Sequence, residues 1–162
     1  MNYLVRVLLI LAAFILSACN SQSSPDMSEP VTSDEIVTLL ALTEAYDSEW
    51  STMSWEQVAP YHSSDIRYFW RGRLAASSQS EFESLFRGIM TEVKSYNADL
   101  IEPHVKMLSP NAAVVSFEFL GEVVTPEGAT QNYSGAMTYV WQRQDNEWKI
   151  VQIHESAPIL AE

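Results

Sequence analysis

The sequence predicts a single α+β domain in which three helices come first and a meander of long antiparallel strands follows. Three observations carry that prediction. Three capping patterns of the form Ser/Thr-x-x-Glu/Gln fall in the first half, at Thr32–Glu35, Ser54–Gln57 and Ser80–Glu83. The first and last open apolar stripes at helical spacing. After Val93 the texture changes to four long runs of branched and aromatic residues, broken by turn signals. A chain of 162 residues suits one domain, and 47% apolar content with five Trp, seven Tyr and six Phe can fill a core.

Following Thr32, the residues Ile36, Leu39, Leu40, Thr43, Ala45 or Tyr46, and Trp50 recur on one helical face, predicting a helix over 33–52. The second capping pattern opens a short helix ending near Pro60. Ile66–Trp70 is rich in aromatic and branched residues and reads as a first strand. After the third pattern, Phe82, Leu85, Phe86 and Ile89 form the stripe of a helix reaching about Val93. Four strands are then expected at 96–108, 112–125, 130–144 and 147–156. The breaks lie at Ser109–Asn111, Pro126–Gly128 and Asp145–Asn146. Val115, Phe117, Phe119 and Val123 alternate with polar residues, as do Tyr133, Met137, Tyr139 and Trp141. The last run, Trp148–Glu155, is apolar on both faces, so cover is expected on both: helices on one, a second subunit on the other.

The N-terminus reads as a targeting segment. After Arg6, every residue from Val7 to Leu16 is apolar, ten in all. A spanning helix needs about 20, so the run fits a removable export signal. It ends in Leu16-Ser17-Ala18-Cys19, which resembles the lipobox of bacterial lipoprotein precursors. That resemblance implies cleavage after Ala18 and lipidation of Cys19. Asn20 is compatible with transfer to the outer membrane, so the expected location is the cell envelope, lipid-anchored and facing the periplasm. An ordinary signal peptide, or an uncleaved anchor, is the alternative. Residues 19–31 are Ser-, Pro- and polar-rich and too poor in apolar content to order themselves, which makes them a tether. Residues 32–158 form the domain. Cys19 is the only cysteine, so no intramolecular disulfide can form.

Nine basic and 21 acidic side chains give a net charge of −12, which becomes −13 once Arg6 leaves with residues 1–18. Such a surface repels phosphate backbones, which argues against a nucleic-acid partner. The three His show no i, i+4 pair on a helix and have no thiol beyond Cys19, so no metal site is expected. No phosphate-cradling Gly motif and no nucleophile elbow occur, and no cofactor is expected.

The element order, with Trp148–Ser156 on the last strand, resembles the NTF2-like superfamily, also called SnoaL-like. That resemblance implies a cone closed by helices over a curved sheet. The nearest likeness is to the association domain of calcium/calmodulin-dependent protein kinase II, through Glu102–His104, Ala112–Phe117, Val140–Arg143 and Trp148–Ser156. It implies that Val115, Phe117, Phe119, Met137, Tyr139, Trp141, Val151, Ile153 and Glu155 face the cone, with Trp70, Phe82 and Phe86 closing it. The association domain carries arginines at the positions matching Phe119, Tyr139 and Glu155. Their replacement here points away from an anion site and toward an aromatic cavity with one acid.

The candidate ligand-binding residues are therefore Trp70, Phe82, Phe86, Phe119, Tyr139, Trp141 and Glu155. Glu155 is also the first candidate for catalysis, since an acid at the rim of an apolar cavity has a raised pKa and can take a proton or hold a cation. His62 and Asp65 join it because Tyr61, His62 and Asp65 cluster near where some superfamily members place catalytic groups. A loop surface explains those three equally well. His154 neighbours Glu155 but points to the opposite face of the strand. Three functions remain open: a domain binding a small apolar or cationic ligand or a protein partner; a cofactor-free SnoaL-like enzyme, whether isomerase, dehydratase or hydrolase; or a homodimeric assembly domain.

Overall fold

The computed structural model describes residues 33–156. Its elements are α1 (Ser33–Trp50), a short α2 (Trp55–Val58) running into a 3-10 turn (Ala59–Tyr61), β1 (His62–Trp70), β2 (Arg73–Ala76), α3 (Gln79–Thr91), β3 (Ser95–Ser109), β4 (Ala112–Val124), β5 (Thr130–Gln144) and β6 (Glu147–Ser156). The export signal, Cys19, the tether and the capping residue Thr32 lie outside the described residues.

One six-stranded sheet runs in the order β2-β1-β6-β5-β4-β3. It corrects the expected layout twice. β1 begins at His62, four residues earlier than the aromatic run suggested, and lies parallel to β6, so the sheet is mixed rather than wholly antiparallel. The edge strand β2 was missed because Arg73–Ala76 carries little β-forming character. The turn before it holds Arg71 and Gly72 at φ of 50° and 74°. Two left-handed residues in a two-residue loop make the tight turn that suits twisted strands.

Two of the capping patterns are not used as such. Ser54 precedes α2 but makes no capping bond, and its hydroxyl donates instead to Glu56 at 2.9 Å. Ser80 lies inside α3. The cap is Ser78, whose hydroxyl accepts the Glu81 N–H, while the Glu81 carboxylate accepts the Ser77 N–H at 2.8 Å. Starting two residues earlier lets the Gln79 amide reach the Ala59 carbonyl at 2.9 Å, which ties α3 to the 3-10 turn.

The helices cover one face of the sheet. Leu39, Thr43 and Tyr46 of α1, Phe82 and Phe86 of α3, and Trp55 and Val58 of α2 are buried against Val115, Phe117, Tyr139, Trp141 and Ile150. Along β6 the buried residues change phase: Trp148 and Ile150, then Ile153. The cause is a bulge. Trp141 pairs with Ile150 and Val140 with Gln152, so Val151 has no opposite number on β5. Val151 is half-buried at the bulge, and the change of phase accounts for the apparent two-faced apolarity of the strand. Before the bulge the even-numbered residues point to the helices; after it the odd-numbered ones do.

The first turn of α1 is clasped to the sheet. Arg143 of β5 donates to both carboxylate oxygens of Glu35, at 2.7 and 2.8 Å, and the Trp148 indole N–H adds a third bond at 3.2 Å. The Arg143 guanidinium also lies over the Trp148 ring, 4.8 Å from its centroid. A partly buried ion pair of this kind, in which Arg143 Nη2 reaches both carboxylate oxygens, contributes more than an exposed one. Glu35→Ala is expected to lower stability by about 1–2 kcal/mol, a few degrees in melting temperature. Urea unfolding of the variant checks this, and an unchanged midpoint would show that the clasp contributes nothing.

Candidate functional site

Between the C-terminal halves of α1 and α3 and the far ends of the strands lies a cavity of about 220 Å³. α1 supplies Tyr46, Asp47 and Trp50; α3 supplies Ile89 and Met90. The sheet supplies Tyr68 and Trp70 from β1, Tyr96 from β3, Tyr133, Met137 and Tyr139 from β5, and Ile153 and Glu155 from β6, with Arg71 at the β1–β2 turn. Tyr133 reaches its place because Gly121 opposite it on β4 has no side chain; a Cβ there would run into the Tyr133 ring.

Glu155 enters this wall because of the β6 bulge. Its carboxylate accepts the Tyr68 hydroxyl at 2.6 Å, and Trp70 is its neighbour on β1. Burial raises its pKa, offset in part by hydrogen bonds from Tyr68 and Trp70 and by the charge of Arg71. Arg71 itself lies over the Trp70 ring, 4.5 Å from the centroid.

Asp47 is the second carboxyl of the cavity. It is 7% exposed, and burial together with the negative charge of Asp99 pushes its pKa up to about 7. Among the described residues no group donates a hydrogen bond to it. It also borders a more open acidic groove with Glu44, Ser48 and Asp99, and so forms the partition between the two spaces. Around both acids the Tyr46, Tyr68, Tyr96, Tyr133 and Tyr139 phenols are pushed up by burial, Tyr133 to about 12, and stay protonated.

Of the candidates named from sequence, Trp70, Tyr139 and Glu155 line the cavity. Phe82, Phe86, Phe119 and Trp141 do not. They are packed solid in the core: Phe82 stacks on His62 and Tyr68 at 4.9 and 4.8 Å, Phe86 meets Trp50 and Trp55, and Phe119 abuts Tyr133. Aromatic rings fill the space around His62 and Phe82, and the cavity lies toward the Trp70 and Glu155 level of the sheet.

His62 and Asp65 do not join Glu155 in the cavity. Both sit early on β1, where His62 is level with Ile150, whereas Glu155 is level with Trp70. Five residues of β6 separate those levels, roughly 17 Å of strand. Asp65 is exposed. His62 is buried, shares a 2.8 Å hydrogen bond between Nε2 and the Tyr46 hydroxyl, and is pushed down to about 3 by burial, so it stays neutral. Among the described residues, no group of three or more His, Cys, Asp or Glu is placed to hold a metal ion.

Sequence reading missed Tyr46, Asp47, Trp50, Tyr68, Tyr96 and Tyr133. One signal was available for Asp47: it stands four residues after Thr43 and three before Trp50, on the very stripe that predicted α1.

A family model for the SnoaL-like domain matches residues 39–160, and the chain belongs to that family. Its fold is that of the NTF2-like superfamily. A Salmonella enterica NTF2-like superfamily protein superposes with a TM-score of 0.71 at 19% identity, over 82% of this chain and 96% of that one. The association domain of the Caenorhabditis elegans calcium/calmodulin-dependent kinase II superposes with a TM-score of 0.63 at 16% identity, over 76% and 95%. In sequence, 64 residues, 40% of this chain, are 31% identical to the alpha chain of calcium/calmodulin-dependent protein kinase type II of Drosophila melanogaster. The chain spans 12% of the length of that relative.

The two buried ionisable groups on either side of Tyr46 respond to pH in opposite senses. Asp47, raised from 3.8 to about 7, contributes stability in acid that is lost as pH rises through 7. His62, lowered from 6.5 to about 3, contributes stability above 6.5 that is lost as pH falls toward 3. Asp47→Asn removes the first and keeps the second. The variant is expected to gain stability over the wild type progressively from pH 4 to 7.5, by up to about 4 kcal/mol. A stability difference that does not change with pH would show that Asp47 is not a buried acid of raised pKa.

Proposed function

We propose that this SnoaL-like domain is a binding module of the cell envelope, tethered through Cys19 and holding a small, largely apolar or cationic molecule. The observation that carries the reading is the cavity itself. Its walls are mostly aromatic and aliphatic, with Arg71, Gln131 and Asn132 as further polar side chains, and two carboxyls reach it from opposite elements, α1 and β6. At about 220 Å³ it suits a molecule of one or two rings. The lipobox-like Leu16–Cys19 and the apolar run before it support the location, on the outer membrane facing the periplasm.

The test is native mass spectrometry of the protein purified from its host's envelope. A retained small molecule is expected on the wild type and none on Met137→Trp, which fills the cavity from β5. A wild type that carries nothing, or a filled variant that keeps the adduct, would count against the module.

A second reading, cofactor-free proton transfer by an isomerase, dehydratase or hydrolase, is favoured by one feature. Asp47 and Glu155 share a cavity, and both have raised pKa values, so one can hold a proton near neutrality while the other accepts one. A third, homodimeric assembly, draws on the likeness to an association domain and on the sheet face away from the helices, where Leu120 is exposed and Phe69 and Val140 are half-buried. Sedimentation at micromolar concentration should then give a dimer that Leu120→Glu dissociates. A monomer would remove this reading and leave the cavity untouched.

A further inference from the structure

We propose that the cavity recognises an arylalkyl amine, with the ring among Trp50, Tyr68 and Tyr133 and the ammonium group against Asp47. The inference rests on the reading of the cavity as a binding site and names the chemical class that the site selects.

Asp47 is the odd member of α1. Leu39, Thr43 and Tyr46, the other buried residues of the helix, are apolar or hydrogen-bonded: the Thr43 hydroxyl donates to the Leu39 carbonyl at 2.8 Å, and Tyr46 pairs with His62. Asp47 is slightly less buried, at 7% exposed against 0% for those three, borders open space, and receives no hydrogen bond from the described residues. A buried carboxyl in that state destabilises the domain, and Leu or Asn would serve packing better. Its position therefore suits a donor brought by something else.

The surroundings select a cation. On α1 itself the neighbouring ionisable groups are Glu44 and Tyr46; β3 contributes Asp99 and Tyr96; β5 contributes Tyr133 and Tyr139; β1 contributes Tyr68 and β6 Glu155. All are acids or neutral phenols. The positive charge of the cavity, Arg71, stands at the β1–β2 turn beside Glu155 and Trp70. An anionic ligand would meet Asp47 and Glu155, with Arg71 at the β1–β2 turn as the cation among the described lining residues. A neutral ring would fill the space but leave Asp47 without a partner. An ammonium group satisfies it, and the Trp50 ring beside it in the lining adds attraction for a cation. The amine also draws the Asp47 proton off, since its charge favours the ionised carboxylate.

Two probes of equal size separate these cases: 2-phenylethylamine, a cation at neutral pH, and 2-phenylethanol, which is neutral. Calorimetry on the full-length protein at pH 8 is expected to show the amine binding at least 10-fold more tightly. Asp47→Asn should remove that preference, with a cooperative thermal melt showing that the variant folds. At pH 6.5 the amine should release a sizeable fraction of a proton per site, read from the dependence of the heat on buffer ionisation, and the alcohol none. If the alcohol binds and the amine binds no better, or if the preference survives in Asp47→Asn and disappears in Glu155→Gln, the assignment to Asp47 is overturned and the cavity reading stands. If neither probe binds at millimolar concentration, both fall.

Discussion

The arrangement of this domain turns on one extra residue in β6. Without the bulge at Val151, a strand that buries Trp148 and Ile150 would go on to bury Gln152 and His154 and would send Glu155 outward. With it, Ile153 packs beside Tyr139 and the Glu155 carboxylate meets the Tyr68 hydroxyl. A bulge costs one rung of the ladder and adds local twist, and here it exchanges an amide and an imidazole for an aliphatic side chain and an acid on the covered face. The cavity owes its second carboxyl to that exchange.

The fold was legible because its signals are periodic and long. Fifteen-residue strands such as β5 and the stripe of α1 repeat their pattern often enough to outweigh local noise, and the turns at Asp145–Asn146 and Pro126–Gly128 announce themselves. Short or phase-shifted pieces were not. β2 has four residues of ordinary character, the cap of α3 competes among Ser77, Ser78 and Ser80, and a bulge is invisible to a rule that assumes strict alternation. The site was half legible for the same reason. Glu155 lines the cavity where the family resemblance implied it would, although strict alternation from Trp148 and Ile150 would have sent it outward. Asp47 was overlooked because a polar residue on an apolar stripe is easily credited to the helix's outer side.

Packing explains why the cavity lies where it does. Helices α2 and α3 bring Trp55 and Phe82 onto His62, Phe82 onto Tyr68 and Phe86 onto Trp55, and these rings fill that part of the core. Around the cavity the sheet carries Gly121 where a larger residue would clash with Tyr133, while Trp50 of α1 leans on Phe86 of α3 and leaves Ile89 and Met90 to line the open space. His62, neutral and hydrogen-bonded to Tyr46, belongs to the filled part but touches the cavity wall through that phenol. Filled and open regions are thus continuous, and substitutions in one are felt in the other.

The Glu35 clasp has a mechanical side. The chain preceding Ser33 joins the domain at the first turn of α1, and Arg143 and Trp148 hold that turn to β5 and β6. Tension applied from that direction is borne by two strands at the clasp. Asp47 and Trp50 lie twelve and fifteen residues further along the helix, roughly 18 to 22 Å away. The clasp and the cavity therefore sit at opposite ends of α1.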